Sequence, residues 1–276
     1  MLWLAGADEG GKQVTIVESR VGRLEIATFA ERPELLAGVF EAEIQTAAPE
    51  FMRHDPTAAL YYDHGNLDRY RDYGLAAIDP TEPHRPVARA FSVPFAFPDP
   101  ARGREVLPYG GWDQVIRWAH HDRLEAIRPT AVSALEIMVA PRLQGRGISQ
   151  VMITALRDNA RRLGFAALYG PIRPTDKHRE PLTPFAEYVE RRRADGQPHD
   201  SWVRTHLRLG AVVVKVAPCS MVIVGTLAEW RQWTGLSFER SGTAIVPGAL
   251  NPVQVSLEQD HAVYVEPNLW VQHPLG

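Results

Sequence analysis

Residues 134–165, ALEIMVAPRLQGRGISQVMITALRDNARRLGF, decide the fold of this chain. The first part, LEIMVA at 135–140, reads as a strand, and Pro141, which has no N–H to give a ladder, ends it. Gln144-Gly145-Arg146-Gly147 form a sharp loop. Ile148, Val151, Met152, Ala155, Leu156 and Leu163 then recur near every 3.6 residues, so one stripe of a helix is apolar. Ser149, Gln150, Thr154, Arg157, Asp158, Arg161 and Arg162 take the other face. Gly164 suits the C-terminal cap.

A glycine loop opening straight into a helix has a physical use. The first N–H groups of a helix lack partners, and the helix dipole adds positive charge there. Backbone amides from Gly145 to Ser149 can therefore cradle a diphosphate. On the glycines alone, a tight turn that merely caps a helix is the plain alternative.

Strand, Pro141, Gln144-Gly145-Arg146-Gly147-Ile148, amphipathic helix and Gly164-Phe165 together resemble the acyl-CoA signature of the GNAT acyltransferase superfamily. That signature reads Arg or Gln, two variable residues, Gly, one variable residue, then Gly or Ala. Gln144 and Gly147 match it, while Ser149 stands at the last position and keeps its amide but adds a side chain. The resemblance implies an α/β (α+β) fold: a mixed, mostly antiparallel sheet splayed at a central parallel strand pair, with helices on both faces. It implies acetyl-CoA or another acyl-CoA as co-substrate, held by Gln144 to Ser149. It also places backbone bonds to the pantetheine amides at Ile137 and Val139, and a carbonyl-polarising amide at Met138 or Val139.

Composition sets the outer bounds. The chain has 276 residues, 45% apolar and 23% charged, as in an ordinary globular protein, with a net charge of −3 that argues against wholesale attraction to nucleic acid. The single cysteine, Cys219, excludes an internal disulfide and fits a reducing compartment. No basic leader precedes an apolar run, and no run approaches a membrane span. The expectation is a cytoplasmic protein with no membrane partner.

Outward from the motif, residues 1–12, with Gly10-Gly11, read as a frayed start, and 14–21 and 23–29 as strands about Gly22. Pro33 introduces a helix with Leu35, Leu36, Val39 and Phe40 on one stripe. Residues 46–73, rich in Phe, Tyr and His, resemble the helices that wall the acceptor site in this family. Residues 74–78 and 87–97 read as strands and 112–121 as a short helix. Its end, His120-His121-Asp122, makes a poor metal site, because adjacent histidines point to different sides of a helix. No metal is expected. Residues 166–169 are the parallel neighbour of LEIMVA, reached by a crossover through the 148–163 helix.

Residues 173–200 form an insertion with a helix from Pro184, capped by Thr183. Asp200 caps a helix over 201–209, Gly210 stops it, and strands over 212–216 and 221–225 flank Pro218. A short helical turn covers 229–233, and further strands follow. The domain reading is a core over 1–226, inserted at about 98–130 and 173–200, with 227–276 as a C-terminal extension packed on it. This wording is similar to long-form GNAT members of bacterial biosynthetic pathways.

Acyl transfer to an amine needs a donor hydrogen bond at the acyl oxygen, a neutral amine and a leaving thiolate. Glu136 breaks an otherwise apolar strand, so it serves either as a base in the cleft or as the partner of an arginine. His206 stands four residues before Gly210, where the family often carries a tyrosine that protonates the thiolate. It shares a stripe with Trp202 and Leu209 and should point inward, as an acid or as a satisfied core histidine.

The leading function is thus an N-acyltransferase moving an acyl group from acyl-CoA to a small-molecule amine by direct attack. One alternative keeps the fold but takes aminoacyl-tRNA as donor, motivated by Ser149 and by Arg157, Arg161, Arg162, Lys177, Arg179 and Arg191 to Arg193. Another is a non-catalytic acyl-CoA or partner-binding module.

Overall fold

The computed structural model describes residues 3–7 and 13–276. Strands β1 (Trp3–Ala7), β2 (Gln13–Ser19) and β3 (Gly22–Thr28) form an antiparallel meander about Gly22. Residues 3–7 are therefore paired strand rather than frayed end, while Gly10-Gly11 lie outside the described residues. The aromatic segment makes only single helical turns, α1 (Leu35–Gly38), α2 (Ala42–Gln45), α3 (Ala59–Tyr62) and α4 (His64–Leu67), linked by 3-10 turns. The longer helix expected after Pro33 stops at Gly38, although Leu35 and Val39 are buried as its stripe requires.

Strands β4 (Gly74–Ile78) and β5 (Pro86–Phe95) follow, then helix α5 (Gly111–Leu124), strand β6 (Ala131–Val139) and helix α6 (Ile148–Arg162). Next come β7 (Ala167–Ile172), α7 (Phe185–Glu190), α8 (Ser201–Arg208), β8 (Val212–Thr226), α9 (Leu227–Thr234), β9 (Gly242–Ala244), β10 (Val253–Ser256) and β11 (His261–Pro274). All join one sheet in the order β1-β2-β3-β4-β5-β6-β7-β11-β10-β9, with β8 paired to β11. Every pairing is antiparallel except β6 with β7, at Val132↔Leu168 and Ser133↔Tyr169. The expected mixed, mostly antiparallel sheet is what forms.

Helices cover both faces. One face packs Phe29, Tyr61, Phe91 and Trp270 against α5 through Trp112, Val115 and Ile116. The other packs Leu24, Ile26 and Val132 against the α6 stripe Val151, Met152 and Leu156. Stripe periodicity and burial thus agree for α6, the element the sequence marks best.

One reading of the C-terminal third needs correction. Pro218 does not split two strands, because β8 runs unbroken over fifteen residues. The strand lies on a sheet edge, and the register slips from Met221↔Glu266 to Ala217↔Asn268, so the proline sits in a bulge that needs no ladder donor. Residues 227–276 supply the rest of the sheet. β11 inserts between β7 and β8, pairing Leu269↔Ile172 on one side and Leu269↔Val216 on the other. Only α9, β9 and β10 are additions to the sheet's rim.

The insertion carrying α5 is held by buried acids. Asp122 accepts from Ala96 N at 2.7 Å and pairs with Arg104 at 2.8 Å, which occupies the one carboxylate of the His120-His121-Asp122 run. Asp113, 1% exposed, accepts from Val222 N and Arg117, both at 3.2 Å. Its other oxygen meets Asp55, whose remaining carboxylate oxygen accepts from Thr57 N at 2.8 Å. Burial first, then the Asp55 charge, pushes the Asp113 carboxyl up to about 8, so the two acids share a proton. Among the described residues, no three His, Cys, Asp or Glu side chains converge as metal ligands.

Candidate active site

Past Ser133 and Tyr169 the parallel strands part. β7 turns to β11, while 134–139 of β6 keep β5 alone as neighbour. A bulge at Leu135, between Phe91↔Glu136 and Ser92↔Ala134, bends β6 there, and Trp112 Nε1 donates to the Leu135 carbonyl at 3.0 Å. Ala140 N still bonds Val87 of β5, and the Val139 carbonyl accepts from the Gln144 side chain at 3.2 Å instead of from a strand. The backbone alternation then turns Ile137 and Val139 to the open edge. A narrow slot of about 10 Å³ remains between the strands, lined by Ala134, Ile137, Leu168, Gly170, His206 and His273.

At the far end of β6 the loop enters α6. Gly145 and Gly147 have φ of +74° and +87°, the left-handed region that strains any other residue. A Cβ on either would meet nothing within 4 Å, so the space before the loop is open. Among the described residues, no hydrogen bond engages the amides of Gly145, Arg146, Gly147, Ile148 or Ser149. Ile148 is 1% exposed and anchors the turn by its side chain, leaving only its amide to offer. Five free amides at the positive end of a fifteen-residue helix make an anion cradle continuous with the open edge of β6.

Glu136 and Met138 lie on the opposite face, toward α5 and the aromatic turns. Arg89 of β5 places Nε 2.7 Å from Glu136 Oε1, with side chains 4% and 17% exposed. The guanidinium also donates to Val39 O at 2.6 Å and stacks over Phe40 at 4.8 Å. Tyr62 packs edge-on to Phe91 and parallel to Trp112, and its buried hydroxyl has no partner. Burial, then the Glu136 charge, raises that phenol well above its ordinary range. The result is a half-buried carboxylate in an aromatic surround, paired with an arginine.

His206 points inward as its stripe requires. Asp200 accepts from Trp202 N and Val203 N to start α8, and His206 stacks edge-on to Trp202 at 4.5 Å. Its Nδ1 lies 2.9 Å from Nε2 of His273 on β11, and its Nε2 is buried without a partner. Burial, then His273, lowers His206 to about 3. Burial and then Arg157 lower His273 to about 4. The pair is neutral at ordinary pH, which disfavours the acid role that the family's tyrosine suggested.

Of the residues sequence reasoning singles out, His206 lines the slot, Gln144 to Ser149 form the loop at the end of β6, and Glu136 lies on the other face; Arg89, Tyr62, Trp112 and His273 are missed. These come from other strands and turns, and no local spacing marks them. Arg89, the one charged residue of β5, is the one signal available, since His273 sits beside Gln272 in a strand with several polar residues.

No family model matches this chain. The arginine N-acetyltransferase avaD of Aspergillus versicolor is 32% identical, over 91% of this chain and 93% of that protein. Among solved structures, the loading GNATL domain of CurA from Lyngbya majuscula superposes with a TM-score of 0.50 at 13% identity, covering 91% of this chain and 96% of that one. A phosphinothricin acetyltransferase of Sinorhizobium meliloti, solved with AcCoA, gives 0.43 at 14% identity, covering 92% and 88%. The splayed parallel pair, the glycine loop opening α6 and the full-length likeness to an N-acetyltransferase place the chain in the GNAT superfamily of N-acetyltransferases.

Proposed function

We propose that the chain transfers an acetyl group from acetyl-CoA to an amine of a small cationic metabolite of the arginine type. The observation that carries this reading is the free-amide cradle at 145–149 continuous with the unpaired edge of β6. The cradle takes the diphosphate, and Ile137 and Val139 bond the arm. Of Met138 and Val139, Val139 is the one whose amide faces the open edge, so the acyl carbonyl lies there. The acceptor approaches from the Glu136 face, where a carboxylate among Phe40, Tyr62 and Trp112 suits a cation. Glu136 takes a proton from the attacking amine, directly or through water. The nitrogen bonds the acyl carbon, the C–S bond breaks, and the thiolate leaves to be protonated by solvent. The arginine preference rests on the relative's substrate name.

The acetyl-CoA donor is preferred over aminoacyl-tRNA because the relative is named an N-acetyltransferase and part of the basic set is already engaged. Lys177 is fully buried on the carbonyls of Glu180 and Leu250, half-buried Arg157 bonds that of Leu209, and Arg191 pairs with Glu180 and Glu187. These three are engaged, while Arg162, Arg179 and Arg193 keep exposed side chains. The test is calorimetry with CoA, followed by thiol release from acetyl-CoA with arginine, agmatine and lysine. Absence of CoA binding at millimolar ligand, with no thiol released, overturns the proposal.

A further inference from the structure

Tyr62 carries a hydroxyl that the fold buries and leaves without a hydrogen-bond partner, an arrangement costly enough to need a reason. Its place is fixed by its neighbours. Tyr61, the residue before it, donates to the Ser92 carbonyl of β5 at 2.8 Å and ties α3 to the sheet. The Tyr62 ring packs edge-on to Phe91 at 5.5 Å, and Phe91 is the cross-strand partner of Glu136, on the same face of the sheet. The ring also stacks at 6.2 Å on Trp112, whose Nε1 holds the carbonyl of Leu135, the residue before Glu136. The carboxylate has an unmet atom of its own. Glu136 Oε1 lies 2.7 Å from Arg89 Nε, yet the ion pair is out of line for a hydrogen bond and both atoms stay without one. Arg89 is not free to correct this, because its other nitrogens hold the Val39 carbonyl at 2.6 Å and Met138 Sδ at 3.2 Å. Nor do Tyr62 and Glu136 bond each other, although no other charge acts on the Tyr62 phenol as strongly. Two oxygens on one wall of the cleft can thus accept a hydrogen, and neither receives one.

We propose that Tyr62 is a specificity-determining residue: its oxygen accepts one N–H of the attacking amine while Glu136 Oε1 accepts another, so the site takes primary amines and rejects their N-methylated counterparts. This rests on the acceptor reading of the Glu136 face given above. A neutral primary amine has two N–H groups and one lone pair. With both hydrogens held, the lone pair is left to face the acyl carbon. As nitrogen bonds that carbon, Glu136 takes one proton, and the other hydrogen stays on the amide product, held by Tyr62. The phenol keeps its own proton throughout, because burial and then the Glu136 charge raise it well above its ordinary range. A neutral secondary amine has a single hydrogen. Giving it to Glu136 leaves the buried Tyr62 oxygen facing a methyl group.

The experiment is thiol release from acetyl-CoA by wild type and Tyr62→Phe, with two matched pairs of acceptors. These are agmatine and its N-methyl derivative at the amine end, and arginine and Nα-methylarginine. Wild type should favour the primary amine by about thirtyfold in kcat/KM. Phenylalanine keeps the ring and its bulk and removes only the oxygen. Tyr62→Phe should therefore lose about tenfold on the primary amine and almost nothing on the methylated one, closing the gap to about threefold. The preference should fall on kcat. As bound ammonium ions both acceptors still bring two hydrogens, so calorimetry on the wild-type CoA complex should find their affinities within about threefold of each other. A preference that survives in Tyr62→Phe overturns the inference, since exclusion by bulk alone would behave that way. Should the variant not fold, the wild-type pairs decide: no preference, or one expressed as lost binding, overturns it equally. Absence of thiol release with every amine strikes the transferase reading and this inference with it, whereas turnover without the preference strikes the inference alone.

Discussion

Replacing Asp113 by Asn should stabilise the protein, and only at high pH. In the unfolded chain Asp113 loses its proton near 3.8, whereas burial beside Asp55 keeps it protonated to about 8. The folded state thus binds more protons across that window, and stability falls as pH rises from about 4 to about 8. Four units at about 1.4 kcal/mol each set a ceiling of about 6 kcal/mol. Asn cannot titrate, and its geometry copies the protonated acid. Its oxygen accepts from Val222 N, and its amide donates to Asp55. The attraction to Arg117 is lost, but that side chain is 44% exposed and the pair is weak. Urea unfolding at pH 5 and pH 9 is the assay. The stability difference between variant and wild type should grow by about 2–4 kcal/mol between the two. Parallel pH curves for the two proteins, or a variant less stable at pH 9, would refute the shared-proton account.

Other expectations follow from the same geometry. The neutral His206–His273 pair gives stability that is complete above about pH 6.5 and lost as pH falls toward about 4 and 3. Urea unfolding from pH 7 to 4 should show a slope of up to about 1.4 kcal/mol per pH unit per histidine, absent in the double Gln variant. Gly147→Ala forces a side chain onto φ +87° and should cost about 1–2 kcal/mol in stability, with CoA affinity down about tenfold by calorimetry. Glu136→Gln leaves buried Arg89 without its counter-charge, so denaturation should show a loss of about 3–5 kcal/mol. Its kcat/KM should fall by about 10² or more, and wild-type turnover would remove Glu136 from the chemistry. Gly111→Ala would bring Cβ within 2.9 Å of the Ser220 backbone, so its melting temperature should drop by several degrees, about 1–3 kcal/mol.

What could be read in the residues was local. LEIMVA, Pro141, the glycine loop and the apolar stripe of α6 each speak within a few positions, and together they marked the strand, the cradle and the gap beside it. What could not be read depended on partners far along the chain. Glu136 was legible as an anomaly, but its pairing with Arg89 depends on the β5–β6 register. Pro218 looked like a strand end because edge position and a bulge are tertiary facts. The aromatic turns near residue 60 are too short to show a period, so their burial against Phe91 and Trp112 was hidden. His273, beside Gln272 in a strand that also holds Glu266 and Asn268, carried no mark.

The place of β11 bears on how the protein is made. Its residues Val271 and His273 wall the slot, yet they leave the ribosome after every other strand that touches it. Until then β7 and β8 stand side by side with a vacant lane, two bare edges that invite a stray strand from another nascent chain. A binding-competent slot therefore appears in one late zippering event, and shortening the chain at this end should abolish ligand binding and solubility together.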